Sequence, residues 1–341
     1  MTRVAFGAEF CGAEGYLDSP TVGLPPRFVV DAVSAHVHSW GRGELYAPDI
    51  DRDVEAARAG YASLVGVPAQ SVAIGGSVSA LLGLIAAAVP DGARVLTVSK
   101  EFTSVSFPFA AQSARGVTVT ELEPAEVERR AGEFDVVAVS LVQSAGGRTL
   151  DVDTLRANVG DALTVIDVTQ ALGWCQVDVS WADVTVGGAY KWLLAPRGMA
   201  WMSVRDSLLE SITAHGANWY AGQDPWSTVY GLPLRLAPGA KRLDTSPSWI
   251  SAIGAGAALP WLAGLDRAAV HRHTVGLAAV VRHHLGLAPI ESAIVSIPVA
   301  GAEDRLRAAG IRAAVRAGAV RVGFHLYNTG EDVERLLDAL R

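Results

Sequence analysis

Residues 165–198, VIDVTQALGWCQVDVSWADVTVGGAYKWLLAPRG, constrain this chain more than any other stretch. Val165 and Ile166 close an apolar run that reads as a buried strand, and Asp167 stands at its end. Gln170 follows three residues later. A second apolar run, from Val184 to Val186, leads through Gly187 and Gly188 into Tyr190, Lys191 and Trp192. Ligands of open α/β sheets bind beyond the carboxyl ends of the strands, so an acid at one strand end and a lysine past the next face a common ligand. Taken singly, a charge at a strand end is usually a solvated surface group. The joint pattern is far more specific.

Lys191 is flanked by Tyr190, Trp192 and Leu193, and loss of water moves a lysine toward its free amine. A free amine forms a Schiff base with a carbonyl. An aspartate paired with a pyridinium nitrogen completes an arrangement suited to pyridoxal 5'-phosphate (PLP).

The rest of the chain fits an α/β protein. With 341 residues, 50% of them hydrophobic, it can bury a large core and is expected to split into two domains. Apolar runs near 72, 95, 117, 136, 164 and 184 alternate with helical patterns, the rhythm of a mostly parallel sheet with helices on both faces. Helical spacing is expected at 26–40 and at 51–65, the second stopped by Gly66-Val67-Pro68. Strand, Gly75-Gly76, Ser77 and then an apolar helix is where a phosphate can bind, although Gly-Gly-Ser is also an ordinary turn with an N-cap. Residues 215–249 are irregular and rich in aromatics, Gly and Pro, including Trp219, Tyr220 and Trp249.

Composition also excludes classes. A net charge of −7 offers no basic field to nucleic acid. Apolar stretches such as 78–90 are too short to cross a bilayer, and the first ten residues lack a signal-type core, so a cytoplasmic protein is expected. Cys11 and Cys175 are too few and too far apart for a disulfide framework or a zinc site. His271, His273, His283 and His284 do not put three ligands on one helix face; no metal is expected, and they read as solvated.

Asp167-x-x-Gln170 followed by Lys191-Trp192-Leu193-x-x-Pro196-x-Gly198 resembles the cofactor segment of the class V aminotransferase group. That group includes cysteine desulfurases, kynureninase and the C–S lyase of ergothioneine synthesis. The resemblance implies the α/β PLP-dependent fold type I. It places a large PLP-binding domain at 16–250 and a smaller α+β domain at 251–341, with residues 1–15 packed on the latter. It also implies a homodimer with its active site at the subunit interface.

The same resemblance assigns roles along the chain. YLDSPTV at 16–22 resembles the family's N-terminal loop near the active site. Gly76 and Ser77 stand where the family has a Gly-Thr-Thr-like phosphate loop, and Gly188 where it often has a phosphate-binding serine. Phe102 takes the place of the aromatic stacked on the cofactor. Gln143 and Gln170 would adjust its phenolic oxygen, and Tyr190 would bond its phosphate. Arg242-x-Asp244-Thr245-Ser246-Pro247 resembles a segment whose hydroxyl reaches the partner subunit's phosphate, so Ser246 inherits that role. Near the end, Arg321 is the substrate-carboxylate anchor and Arg316 a weaker second candidate.

One departure bears on function. Persulfide-forming desulfurases carry a nucleophilic cysteine between these two arginines, whereas here the intervening residues 317–320 include none. The expected activity is therefore a β-lyase acting on a small α-amino acid, C–S lyase-like, with a class V aminotransferase as the alternative. A non-catalytic PLP-binding protein is less expected, because it needs no carboxylate anchor.

Overall fold

A computed structural model describes residues 2–341. The chain opens with an antiparallel hairpin, β1 (Thr2–Ala5) and β2 (Ala8–Cys11). Two helices follow, α1 (Arg27–Gly41) and α2 (Asp51–Val65). Gly66, at φ +87°, ends α2 in the left-handed conformation that favours glycine.

The central unit alternates strand and helix through β3 (Val72–Gly75), α3 (Val78–Ala88), β4 (Arg94–Val98), α4 (Thr103–Ala110), β5 (Thr118–Leu122) and α5 (Pro124–Arg130). It continues through β6 (Val136–Ser140), α6 (Val152–Asn158), β7 (Leu163–Asp167), β8 (Val184–Gly188) and β9 (Ala200–Val204). These seven strands form one sheet in the order β3-β9-β8-β7-β6-β4-β5. All pairs are parallel except those of β9, which runs against both β8 and β3. The reversed β9 was not among the strands expected from sequence.

Strands β6, β8 and β9 are buried along their whole length, which accounts for their unbroken apolar runs. Successive side chains feed opposite faces. Val165 joins the core beneath α3 and α4, and its neighbour Ile166 joins the core beneath α2. In register, Asp167 lies opposite both Ser140 and Val186, so β6 and β7 end at one level and β8 runs on to Gly188.

Helix α7 (Trp249–Ala263) packs against α2 at close range. A Cβ on Gly60 would meet Leu259 at 2.7 Å, and one on Gly256 would meet the Asp53 carbonyl at 2.7 Å. Ala252, Ile253 and Leu259 thus belong to the large core with Val54 and Tyr61. The border expected at 250 falls at the start of this helix, whose alanines and glycines allow the close contact with α2.

The remaining chain is α8 (Arg267–His284), β10 (Ile294–Ile297), α9 (Ala302–Ala308), β11 (Ala314–Arg316), β12 (Ala319–Gly323) and α10 (Gly330–Leu340). Its antiparallel sheet, β10-β12-β11, has its own core around Val295, Leu306, Val322 and Leu336. The β1–β2 hairpin is tied here through the Arg3–Asp332 ion pair, while Phe10 packs on Trp261 and Tyr327.

His283 and His284 are exposed, but His271 and His273 are partly buried. His271 bridges the Trp174 carbonyl at 3.1 Å and Glu291 at 2.8 Å, and His273 packs edge-on against Phe6. These two are structural rather than solvated. Among the described residues no helix is long and apolar enough to cross a membrane.

Candidate active site

The carboxyl ends of β7 and β8 face a cavity of about 120 Å3 whose lining includes Asp167, Gln170, Tyr190 and Lys191. Asp167 and Lys191 are both buried. Burial pushes the Asp167 carboxyl up to about 6, against the hydrogen bonds of Thr169 and the charge of Lys191. Burial likewise pushes the Lys191 amine down to about 8; Asp167 opposes this, and Arg321, Arg316 and Arg197 add to it. The Thr169 N–H donates to Asp167 Oδ1 at 2.7 Å and so fixes the carboxylate.

The N-terminal loop closes directly over the lysine. Gly23 N–H donates to the Tyr190 carbonyl at 2.9 Å, and a Cβ on Gly23 would sit 1.9 Å from the Lys191 carbonyl. Only glycine allows that approach. From the other side His325 bonds the Trp192 carbonyl at 3.1 Å through Nε2. Its Nδ1 accepts from Leu326 N–H at 2.7 Å, so Nε2 carries the proton.

Gly76 and Ser77 line the same cavity at the start of α3, where free N–H groups and the positive dipole end converge. The Ser77 hydroxyl accepts from Ala80 N–H at 3.2 Å as the N-cap and lies 3.3 Å from the Ser79 hydroxyl, with either of the two able to donate. Beside Gly188, the Thr169 hydroxyl accepts the Gly188 N–H at 3.1 Å and also lines the cavity. Thr169 thus brings a hydroxyl to a place where Gly188 has none; sequence reading did not single it out.

Phe102 and Tyr190 flank the amine, with Lys191 Nζ 5.1 Å and 5.7 Å from their ring centroids. Glu101, also unnoticed in the sequence, positions Phe102. Its buried carboxylate accepts from Phe102 N–H at 2.7 Å, Ser140 N–H at 2.8 Å, Ser140 Oγ at 2.7 Å and Gln143 Nε2 at 3.0 Å.

Two of the expected site residues, Gln143 and Gln170, have their amides engaged within the chain. Gln143 lines neither this cavity nor the adjoining one, because Glu101 holds its amide. Gln170 lines the cavity, but both its N–H groups are taken, by Pro20 O at 2.9 Å and Ser144 Oγ at 3.1 Å. Ser246 is exposed and lines neither cavity within its own chain.

On its other side Lys191 opens to a larger cavity of about 580 Å3, which Arg316 and Arg321 also line. Arg321 is buried, and one of its amino groups donates to Ser144 O at 2.7 Å and Ser144 Oγ at 3.0 Å. The other donates to Thr21 Oγ1 at 2.7 Å, and the buried Nε has no partner. Arg316 is exposed.

The aminotransferase class-V family model matches residues 16–300. The chain belongs to that family. An uncharacterized aminotransferase, YcbU of Bacillus subtilis, is 27% identical over 313 residues, covering 84% of this chain and 82% of its own. A probable cysteine desulfurase of Vibrio cholerae is 27% identical over a 390-residue alignment, covering 95% and 92%. Among solved structures, a C-DES mutant with glycine covalently linked to its PLP cofactor superposes with a TM-score of 0.84 at 17% identity, over 96% of each chain. C-DES, named there as a cystine C–S lyase, was also solved with its product cysteine persulfide, at a TM-score of 0.81, 16% identity and 96% and 97% coverage.

This class-V enzyme therefore has the PLP-dependent fold type I, and PLP is its cofactor. The residues present suit that group. A buried acid raised to about 6 would be offset by a cationic ring nitrogen, and a lysine lowered to about 8 is a ready amine. A helix N-terminus that brings the Ser77 and Ser79 hydroxyls to the cavity suits the phosphate.

Proposed function

We propose that this class-V enzyme is a β-lyase acting on an α-amino acid that carries a leaving group at Cβ, with C–S bonds the best-supported target. Lys191 and Asp167 are the proposed catalytic residues. Gly76, Ser77, Phe102, Gln170 and Tyr190 are the proposed cofactor shell, joined by Ser246 from the partner subunit of a homodimer. When bound, PLP withdraws electrons from Cα of the amino acid.

Arg321 receives the α-carboxylate, since its buried guanidinium is already oriented by Ser144 and Thr21 and needs no reorganisation. An amine near 8 is partly neutral at physiological pH, which suits Lys191 to take the proton from Cα. The Cα–Cβ bond then gains double-bond character as the Cβ–S bond breaks, and the electron pair leaves on sulfur. Hydrolysis of the released enamine gives ammonia and a 2-oxo acid. Tyr190, Phe102 and the 16–24 loop keep water from the amine during these steps.

The carrying observation is the size of the cavity on the substrate side of Lys191, about 580 Å3. Sites for drug-sized ligands run from roughly 300 to 1,000 Å3, so the space suits an amino acid with a substantial leaving group. A persulfide-forming desulfurase reading lacks its thiol, because Cys11 is exposed on the hairpin and Cys175 is buried, and neither lines the two cavities. The aminotransferase alternative draws support from the name of the relative YcbU.

The test follows the visible spectrum of the holoenzyme while single amino acids and cysteine conjugates are added, with ammonia and 2-oxo acid assayed in parallel. A lyase recovers its starting spectrum unaided as both products accumulate. A spectrum that stays bleached until a 2-oxo acid is supplied identifies a transaminase and overturns the proposal.

A further inference from the structure

The larger cavity holds more positive charge than one α-carboxylate can answer. Lys191, Arg197, Arg316 and Arg321 line it, and no Asp or Glu does. Asp18, whose charge acts on Arg321, is not part of the lining. Arg316 and Arg321 come from the paired strands β11 and β12 and converge on one neutral atom, the Thr21 hydroxyl, at 3.4 Å and 2.7 Å. Their other hydrogen bonds go to the Val315 carbonyl and to Ser144, again neutral oxygens. Two guanidinium groups sharing one hydroxyl remain largely uncompensated.

The cofactor phosphate does not account for them. Its expected cradle, Gly76 and Ser77, lines the smaller cavity, and neither Arg316 nor Arg321 lines that one. The two arginines also differ in kind. Arg321 is buried and held on two sides, whereas Arg316 is exposed. The cavity they share has an apolar wall of Pro25, Val29, Val30 and Val33.

We propose that Arg316 binds a second carboxylate on the substrate, so that the enzyme takes α-amino acids whose side chain continues through an apolar stretch and ends in a carboxylate. This deepens the function proposed above and rests on Arg321 as the α-carboxylate anchor. The tight Ala317–Gly318 turn between the two strands fixes Arg316 beside Arg321, so the spacing between the two anionic groups is set by the sheet rather than by a mobile loop.

Two measurements on the holoenzyme test it. Calorimetric titration with glutarate and adipate is compared with pentanoate and hexanoate, none of which carries an amino group or a leaving group. The diacids are expected to bind roughly tenfold or more tighter, the worth of a charge-assisted hydrogen bond. R316Q is expected to erase that preference and R316K to restore part of it. Equal binding of diacids and monoacids would mean that both arginines clamp one carboxylate and overturns the proposal; a preference that survives in R316Q would mean that another group holds the second carboxylate, and overturns it too.

The second measurement compares S-(2-carboxyethyl)cysteine with S-propylcysteine. In R316Q the ratio of their kcat/KM values is expected to fall roughly 10- to 100-fold, mainly through KM. An unchanged ratio with active enzyme overturns the proposal. If neither conjugate yields ammonia while the diacid preference persists, the lyase reading fails and the second-carboxylate site stands.

Discussion

The indole N–H of Trp192 donates to Gln170 Oε1 at 2.8 Å. Trp192 follows the lysine directly, and Gln170 lies three residues past Asp167, so this bond sets the lysine's segment against the acid's. The same glutamine holds the Pro20 carbonyl and the Ser144 hydroxyl, and Ser144 in turn holds Arg321. One buried amide therefore links the proposed cofactor end of the site to the proposed substrate anchor.

Gln170→Leu is expected to leave the Trp192 N–H and the Pro20 carbonyl buried and unpaired. Each such group costs about 1–3 kcal/mol, so the apoprotein should lose roughly 2–6 kcal/mol in urea unfolding. A loss below about 0.5 kcal/mol would show that the network contributes nothing.

Asp167→Asn is expected to move stability and activity in opposite directions. Folded Asp167 keeps its proton up to about pH 6, whereas an unfolded aspartate releases it near about pH 3.9. The folded state therefore binds more protons across that window and loses stability as pH rises through it, by on the order of 3 kcal/mol. The asparagine variant carries no such cost. Relative to wild type it should be more stable at pH 7 than at pH 4 in apoprotein melts, while turnover of the holoenzyme collapses. A stability difference independent of pH would contradict the raised acid.

The rate at which PLP and borohydride trap Lys191 in the apoprotein should rise with pH and level off above about 8. An ordinary lysine, near about 10.4, would keep rising. Neighbouring charges give the sign for variants. Removing a positive charge by Arg197→Gln or Arg316→Gln eases protonation and moves the profile up, and removing the Asp167 charge moves it down. Shifts in the same direction for all three variants would refute this arrangement.

The parts of the site that sequence made legible are those fixed by strand ends. Asp167 and Lys191 lie just past short unbroken apolar runs, and a strand buried on both faces announces its end in the letters themselves. Ser77 was legible for the same reason, as a cap between a strand and a helix. Glu101 and Thr169 were not. Their roles depend on which backbone N–H groups they meet across strands, and those partners lie as far as 39 residues away along the chain. Gln143 shows the converse, since its residue type suits a cofactor contact but Glu101 captures the amide first. The partner of helix α7 was not legible either, because its alanine-rich run signals close packing without naming what it packs on, and α2 supplies the matching Gly60.

Asp244 supports the proposed phosphate end of the site from outside it. The residue is fully buried and paired with the buried Arg58, whose NH2 donates to Oδ2 at 2.7 Å and NH1 to Oδ1 at 3.3 Å. Strand β3 is the outermost of the seven-stranded sheet, and an open edge there would leave its backbone groups unpaired. Asp244 Oδ1 accepts the Ile74 N–H at 2.8 Å, and Thr245 N–H donates to the Ile74 carbonyl at 3.2 Å, so the 244–245 segment completes that edge just before Gly76 and Ser77. Asp244→Ala leaves the buried Arg58 guanidinium with only the half-exposed Glu55 carboxylate and the Val72 carbonyl as partners, and is expected to cost about 3 kcal/mol. Replacing the pair together, as Arg58→Met with Asp244→Leu, removes the stranded charge and should recover most of that loss. The double variant still lacks the acceptor for Ile74. Hydrogen exchange at the Ile74 amide should therefore stay fast, and PLP affinity should stay reduced, after global stability has returned. Full recovery of both along with stability would show that the ion pair, and not the edge contact, is what holds Gly76 and Ser77 in place.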